Sequence, residues 1–290
     1  MSIINPLACA GLYRLPDGEW SLHSRFSQAI NFCHSGGELL TLFRYGKGMG
    51  PTGVLLSTVQ FSRVAHVERL IKQGNTLWGQ GIMLDPRRIL RVLLSSAAVA
   101  PVDLSFCTQR SGFSGALNQP LTAMPHYPEI IKQLACWHHG MMPDWRWLIG
   151  CGPGLTPSGD DMLTGMLAVL YAAGFSARLG HFLPPADQLA QLTTSVSCSY
   201  LNSARMGEFS IPVLKVMRRL QSGRDPQPAI QRLLAVGHTS GADTLLGIAI
   251  AQRWLQMVDS RGRHARSGNN THIYSGCGDG ELFPRGQLAT

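Results

Sequence analysis

Apolar positions along the chain change their period near residue 125, from short runs and alternation to helical spacing. Before that point the text reads as strand-rich. Glu19-Trp20-Ser21-Leu22-His23-Ser24 alternates as a half-buried strand should, and Glu38-Leu39-Leu40-Thr41-Leu42-Phe43-Arg44 is a short apolar strand. Arg25 to Phe32 fits a strand or a short helix, because periodicity does not separate the two over so short a run. The glycine-rich stretch from Gly46 to Gly53 precedes a further strand, Val54 to Ser57. Its Gly-x-Gly-x-Gly spacing and its lysine are compatible with a phosphate cradle. It lacks the Gly-Lys-Ser/Thr ending and following helix of a P-loop, so it is read as a loop between strands. Helices are expected over Phe61 to Gly74 and over Pro86 to Ala98, the second with Asp85 as N-cap and Pro86 at its first position. Ser105 to Met124, rich in Ser, Gly, Asn and Pro, is expected as an irregular connector.

Beyond Pro128 the spacing predicts helices. They run from Glu129 to His139, Asp160 to Ala173, Asp187 to Leu201, Pro212 to Leu220, and Pro226 to Val236, the last closed by Gly237 as a C′ glycine. A further helix is expected from Ala242 to about Val258. The fold class is therefore α+β: a β-rich N-terminal domain over 1–125, then a mainly helical domain over 126–258. Residues 259–290 are rich in Arg, Gly, Ser and Asn with few apolar anchors, and are expected to form a disordered tail.

Composition narrows the classes. At 290 residues the chain is long enough to bury a substantial core. It is 44% apolar and 14% charged, and it contains no uninterrupted apolar run of about 18 residues, so no membrane partner is expected. The N-terminal text lacks a basic leader and apolar core, so no secretion signal is expected. Seven cysteines without a C-x-x-C pair argue against a disulfide framework and a zinc ribbon. Reduced thiols and a cytoplasmic location follow as the default. The formal charge of +8 is spread along the chain. Arg87-Arg88-Arg91 and Lys215-Arg218-Arg219 read as solvated helix faces, so small anions, and no nucleic acid, are the expected partners.

The densest chemistry lies in Gly150-Cys151-Gly152-Pro153-Gly154-Leu155-Thr156-Pro157-Ser158-Gly159-Asp160-Asp161-Met162-Leu163-Thr164-Gly165. A partial echo follows in Gly237-His238-Thr239-Ser240-Gly241-Ala242-Asp243-Thr244-Leu245-Leu246-Gly247. Aligned on the serines, both read S-G-x-D-x-L-x-G at a loop-to-helix junction, each leading into a run too apolar for a surface helix. Helix capping alone accounts for part of this. Ser158-x-x-Asp161 and Ser240-x-x-Asp243 fit the capping box, and carboxylates suit the positive end of a helix dipole. Three features exceed capping. Asp160 adds a second carboxylate beside Asp161, which calls for a compensating cation or donors near a core. Gly150, Gly152 and Gly154 offer an approach free of side chains to backbone N–H groups. His238 places an imidazole at the mouth of the second junction.

These residues give the candidate site. Asp160, Asp161, His238 and Asp243 are the catalytic candidates. Gly152, Gly154, Thr156, Ser158, Gly159, Thr239, Ser240 and Gly241 are the candidates for holding substrate. Asp160, Asp161 and Asp243 are oxygen ligands of the kind Mg²⁺ takes. Neither serine sits in a G-x-S-x-G elbow, so no nucleophilic triad is read. A site of this type would join a carboxylate-bound cation to N–H groups suited to phosphate or a small carboxylate, if the two helix starts face each other.

Both motifs resemble the two signatures of the AllH family, which includes a subunit of oxamate carbamoyltransferase. Ser203-Ala204-Arg205-Met206-Gly207-Glu208-Phe209-Ser210 and Phe26-Ser27-Gln28-Ala29-Ile30-Asn31 also look familial. The resemblance spans about residues 10–258, and its helical half is the more specific. It implies a cytoplasmic subunit acting with two larger partners similar to the AllF and AllG proteins. The implied reaction phosphorolyses oxalurate to oxamate and carbamoyl phosphate, a step of anaerobic allantoin use. The alternative is a non-catalytic structural or interaction subunit whose motifs only cap buried helices.

Overall fold

Alternation along the N-terminal half builds one sheet. In the computed structural model, which describes residues 1–268 apart from Lys47 and side chains as far as Ser260, the strands are β1 (Ser2–Ile4), β2 (Ala8–Ala10), β3 (Gly18–Arg25), β4 (Ala29–His34), β5 (Leu39–Arg44), β6 (Gly53–Leu56), β7 (Arg69–Gln73), β8 (Thr76–Gly79) and β9 (Ile82–Leu84). They pair in the order β1-β9-β8-β7-β3-β4-β5-β6-β2. The β1–β9 and β5–β6 pairs are parallel and the others antiparallel. The sheet is curled. Its core holds Trp20, Ile30, Phe32, Leu40, Leu42, Val54, Leu70 and Leu77, joined by Phe61 and Val64 of α1 (Thr58–Val64). Strand β5 is buried on both faces because α5 (Ser195–Arg205) packs on it from outside the core. On that outer side Thr41 donates to Asn31 at 2.8 Å, and Asn31 donates to Ser24 at 2.9 Å.

Two expected helices take another form. The run from Phe61 to Gly74 divides into α1 and β7. A capping box between Ser57 and Gln60 starts the helix early, whereas Arg69–Gln73 buries alternate residues as a strand does. The run from Pro86 to Ala98 is extended rather than helical. Its backbone bonds are made to distant segments: Cys9 N–H to Arg88, Leu90 N–H to Cys9, Leu94 N–H to Gly207, and Ala97 N–H to Ala172. Val92 and Leu94 are buried at two-residue spacing, and Arg87, Arg88 and Arg91 are exposed on this strap and not on a helix face.

The connector from Ser105 to Met124 is mostly irregular but contains a short hairpin, β10 (Arg110–Ser111) with β11 (Gly115–Ala116). The helical half comprises α2 (Tyr127–His138), α3 (Ser158–Ala172), α4 (Ala186–Leu192), α5, α6 (Ile211–Ser222), α7 (Gln227–Leu234) and α8 (Ser240–Gly268). The single helix expected from Asp187 to Leu201 is two, because the chain breaks at Thr193-Thr194 and Thr194 caps α5 by accepting from Ser197 N–H at 3.1 Å. The last helix continues past Val258 to Gly268, where the tail was expected; the remaining tail, 269–290, lies outside the described residues. Met1–Arg253 form one compact unit, and Trp254 begins a second that contains the distal part of α8. No helix among the described residues is long and apolar enough to cross a membrane.

Candidate functional site

The repeated glycines determine how the two motifs meet. A Cβ on Gly159 would strike the Leu148 carbonyl, and one on Gly241 would strike the Leu233 carbonyl. Each helix start therefore seats directly against the backbone of the segment before it. Two turns later Gly165 meets the Thr244 carbonyl, and Gly247 meets the Met162 carbonyl. Helices α3 and α8 thus cross with backbone against backbone, each motif supplying the glycine that faces the other. Between the glycines, Leu163 and Leu245 are fully buried. The pattern S-G-x-D-x-L-x-G is explained position by position: a seating glycine, an inward carboxylate, a core leucine and a crossing glycine.

The crossing brings the two junctions into contact, and the Thr156 and Ser240 hydroxyls are hydrogen-bonded at 2.9 Å. The serines are not N-caps as the capping-box reading required. Pro157 occupies the N-cap position of α3, without a side-chain cap bond, and Ser158 is the first helical residue. Ser240 likewise begins α8. The carboxylates are consequently not folded back on cap amides.

Each carboxylate has its own surroundings. Asp160 Oδ1 accepts from Gly150 N–H at 2.9 Å, and Oδ2 accepts from the Thr193 hydroxyl. Burial pushes the Asp160 carboxyl up, and bonds from Thr193, Gly150 and Ser197 partly offset that. Asp243 is 0% exposed, and its Oδ1 accepts from the Ser111 hydroxyl at 2.6 Å and from Gly112 N–H at 2.9 Å. The Ser111 hydroxyl oxygen in turn accepts from the N–H groups of Phe113 and Ser114 at 2.9 and 3.1 Å. The turn of the β10–β11 hairpin therefore closes over the carboxylate. Asp161 is held well above the usual carboxylate range, first by burial. The Ser240 and Thr156 hydroxyls pull it down, and the charges of Asp243 and Asp160 push it further up. Asp161 Oδ2 and Asp243 Oδ2 are both buried and accept no hydrogen bond among the described residues.

Of the residues singled out from sequence, Thr156, Ser158, Asp161, Thr239, Ser240 and Asp243 converge. A Cβ at Gly112 would meet the Ser158 hydroxyl and lie 3.0 Å from that of Thr239 and 3.4 Å from Asp243 Oδ2. Asp160 is turned away from this cluster toward Gly150 and Thr193. Among the described residues no three Asp, Glu, His or Cys side chains form a metal-holding group, so the three-aspartate ligand set is not assembled. His238 lies exposed on the turn before α8, as Cys151, Gly152 and Gly154 do on the turn before α3. Gly152 has φ 119°, and a Cβ there would sit 2.8 Å from the Ser158 amide nitrogen, so glycine leaves room beside that helix start.

Sequence reasoning missed Ser111, Gly112, Thr193 and the cavity beside the junctions. That cavity, about 420 Å³, lies between β4, β5 and α5 and reaches Leu155 and Gly237. Phe26, Asn31, Thr41 and Tyr200 line it, so the Phe26–Asn31 segment contributes to its wall. Burial raises the Tyr200 phenol, and the charge of Asp161 raises it further.

Residues 148–252 match the family model described as oxamate carbamoyltransferase subunit AllH, and residues 7–99 match that of the AllH family N-terminal domain. No solved structure matches the chain.

Proposed function

Because the chain belongs to the AllH family, we propose that it works as a subunit of an oxamate carbamoyltransferase and contributes the joined starts of α3 and α8 as an anion-binding surface. The observation that carries this reading is the Thr156–Ser240 contact, which brings two helix N-termini to one place. Helix starts present backbone N–H groups and a partial positive charge to an anion. The neighbouring cavity is of the size that small-molecule sites have. Its proposed occupants are phosphate and oxalurate, with oxamate and carbamoyl phosphate as products.

In the reaction a phosphate oxygen attacks the carbamoyl carbon of oxalurate. The bond from that carbon to the oxamate nitrogen breaks, and the nitrogen leaves with a proton. Charge develops on the carbamoyl oxygen, where preorganised N–H donors are most effective. Asp161 and Asp243 are too enclosed to touch a substrate in this arrangement; their role is to hold the two starts and the Ser111–Gly112 turn in register. His238 and Cys151 stand on the exposed side of the same junctions. Two larger subunits, similar to AllF and AllG, complete the enzyme.

The enclosure of the carboxylates also favours a second reading, a non-catalytic interaction subunit. Gly152→Ala separates the two. In the assembled complex the added Cβ would obstruct the Ser158 N–H, and carbamoyl phosphate formation is expected to fall by about 10²-fold, the scale of one lost oxyanion donor, while the complex still assembles. The interaction-only reading expects full turnover from the same complex.

A further inference from the structure

One oxygen of Asp161 and one of Asp243, on the two helix starts joined by the Thr156–Ser240 bond, are each buried without a hydrogen-bond partner among the described residues. Asp243 satisfies its other oxygen with two donors, and Asp161 has the Ser240 and Thr156 hydroxyls beside it. Only the Oδ2 atoms are left, one on each residue, both buried. The Ser158 and Thr239 hydroxyls approach the same place from the two helix starts. Among the described residues no basic side chain forms an ion pair with either carboxylate, and the charges that act on Asp161 are those of Asp243 and Asp160. Two enclosed like charges without a compensating donor are costly, and a cation between them supplies what both lack.

We propose that Asp161 and Asp243 bind one hard divalent cation, of the Mg²⁺, Mn²⁺ or Ca²⁺ class, through their Oδ2 atoms, with hydroxyls from Thr156, Ser158, Thr239 and Ser240 around it. An oxygen-only donor set selects hard cations over Zn²⁺ or Cu²⁺. Asp160, with both oxygens engaged elsewhere, is not a ligand. The site ties the two motifs together across the helix crossing and does not depend on the carbamoyltransferase reading.

The other way to relieve the pair is a shared proton. Asp243 acts on Asp161 through charge repulsion, and neither Oδ2 has a hydrogen-bond partner among the described residues, so the two are not bonded to each other. The test uses the full chain stripped with a chelator, titrated calorimetrically with Mg²⁺, Mn²⁺ and Ca²⁺ and followed in parallel by thermal melting. The expected result is one ion per chain and a raised melting temperature. Asp161→Asn and Asp243→Asn are each expected to weaken binding by about tenfold or more, whereas Thr193→Ala, which touches only Asp160, leaves affinity unchanged. Without metal, the Asn variants are expected to melt at or above the stripped wild type, because the like charges are gone. If stripped wild type binds none of the three ions, or the Asn variants bind as tightly as wild type, the proposal is overturned and a shared proton takes its place. Should the Asn variants fail to fold, the wild-type titration decides alone: one bound ion per chain supports the site, and none overturns it.

Discussion

Valine at Gly165 or Gly247 is expected to destabilise the chain by about 3 kcal/mol or more, the upper end of overpacking costs, or to prevent folding. Both glycines sit where α3 and α8 cross, and each faces a backbone carbonyl of the opposite helix. Backbone cannot rotate out of the way as a side chain can, so a branched Cβ must push the helices apart. That movement would also uncover Leu163 and Leu245 and separate Thr156 from Ser240. The urea midpoint measures the effect, with Gly180→Ala as control, because a Cβ at Gly180 meets nothing within 4 Å. A valine variant as stable as that control would mean the helices do not cross in this way.

Removing the Asp243 side chain is the second large effect. Asp243→Ala is expected to cost about 3 kcal/mol, since it leaves the Ser111 hydroxyl and the Gly112 N–H buried without their acceptor. The damage should be local as well as global. Amide exchange at Gly112, Phe113 and Ser114 is expected to accelerate, because Asp243 anchors the first and Ser111 holds the other two. Asp243→Asn keeps an acceptor at Oδ1 and is expected to retain most of that protection. Equal exchange in Ala and wild type would show that the hairpin is held by something other than this carboxylate.

The strands were legible where one face of the sheet is buried and the other exposed, as around Trp20, because burial imposes the two-residue period directly. They were misread where the chain crosses between layers. Val92 and Leu94 alternate within a run that also supports helical spacing, and the choice is made by distant partners such as Gly207 and Ala172. The break at Thr193-Thr194 has the same origin: Thr193 serves Asp160 and Thr194 caps the next helix, demands that lie outside the local text.

The candidate site was legible as a repeated motif at two helix starts, and the Thr156–Ser240 bond brings those starts into contact. Its internal assignments were less accessible. Asp160 and Asp161 are adjacent in sequence, yet successive helical positions point in different directions, so only one of them faces Asp243. Ser111 reaches Asp243 from 132 positions away. Its surroundings, Arg110-Ser111-Gly112-Phe113-Ser114-Gly115, look like an ordinary turn because a serine–glycine turn is also what closing over a carboxylate requires. The glycines misled in another way. Gly159, Gly165, Gly241 and Gly247 serve close backbone packing, and among the candidates the exposed approach to a ligand is left to Gly152 and Gly154.

The most direct measurement of the central claim, that anionic substrate sits at the joined helix starts, is the rate at which Cys151 is alkylated in the assembled complex. Cys151 is exposed between Gly150 and Gly152, while Cys9 and Cys107 are buried and serve as internal references in a peptide-resolved mass measurement. The account predicts that phosphate, oxamate and carbamoyl phosphate each slow modification of Cys151 in a saturable way, and that Gly152→Ala abolishes the protection. An unchanged rate at substrate concentrations that saturate turnover would contradict it.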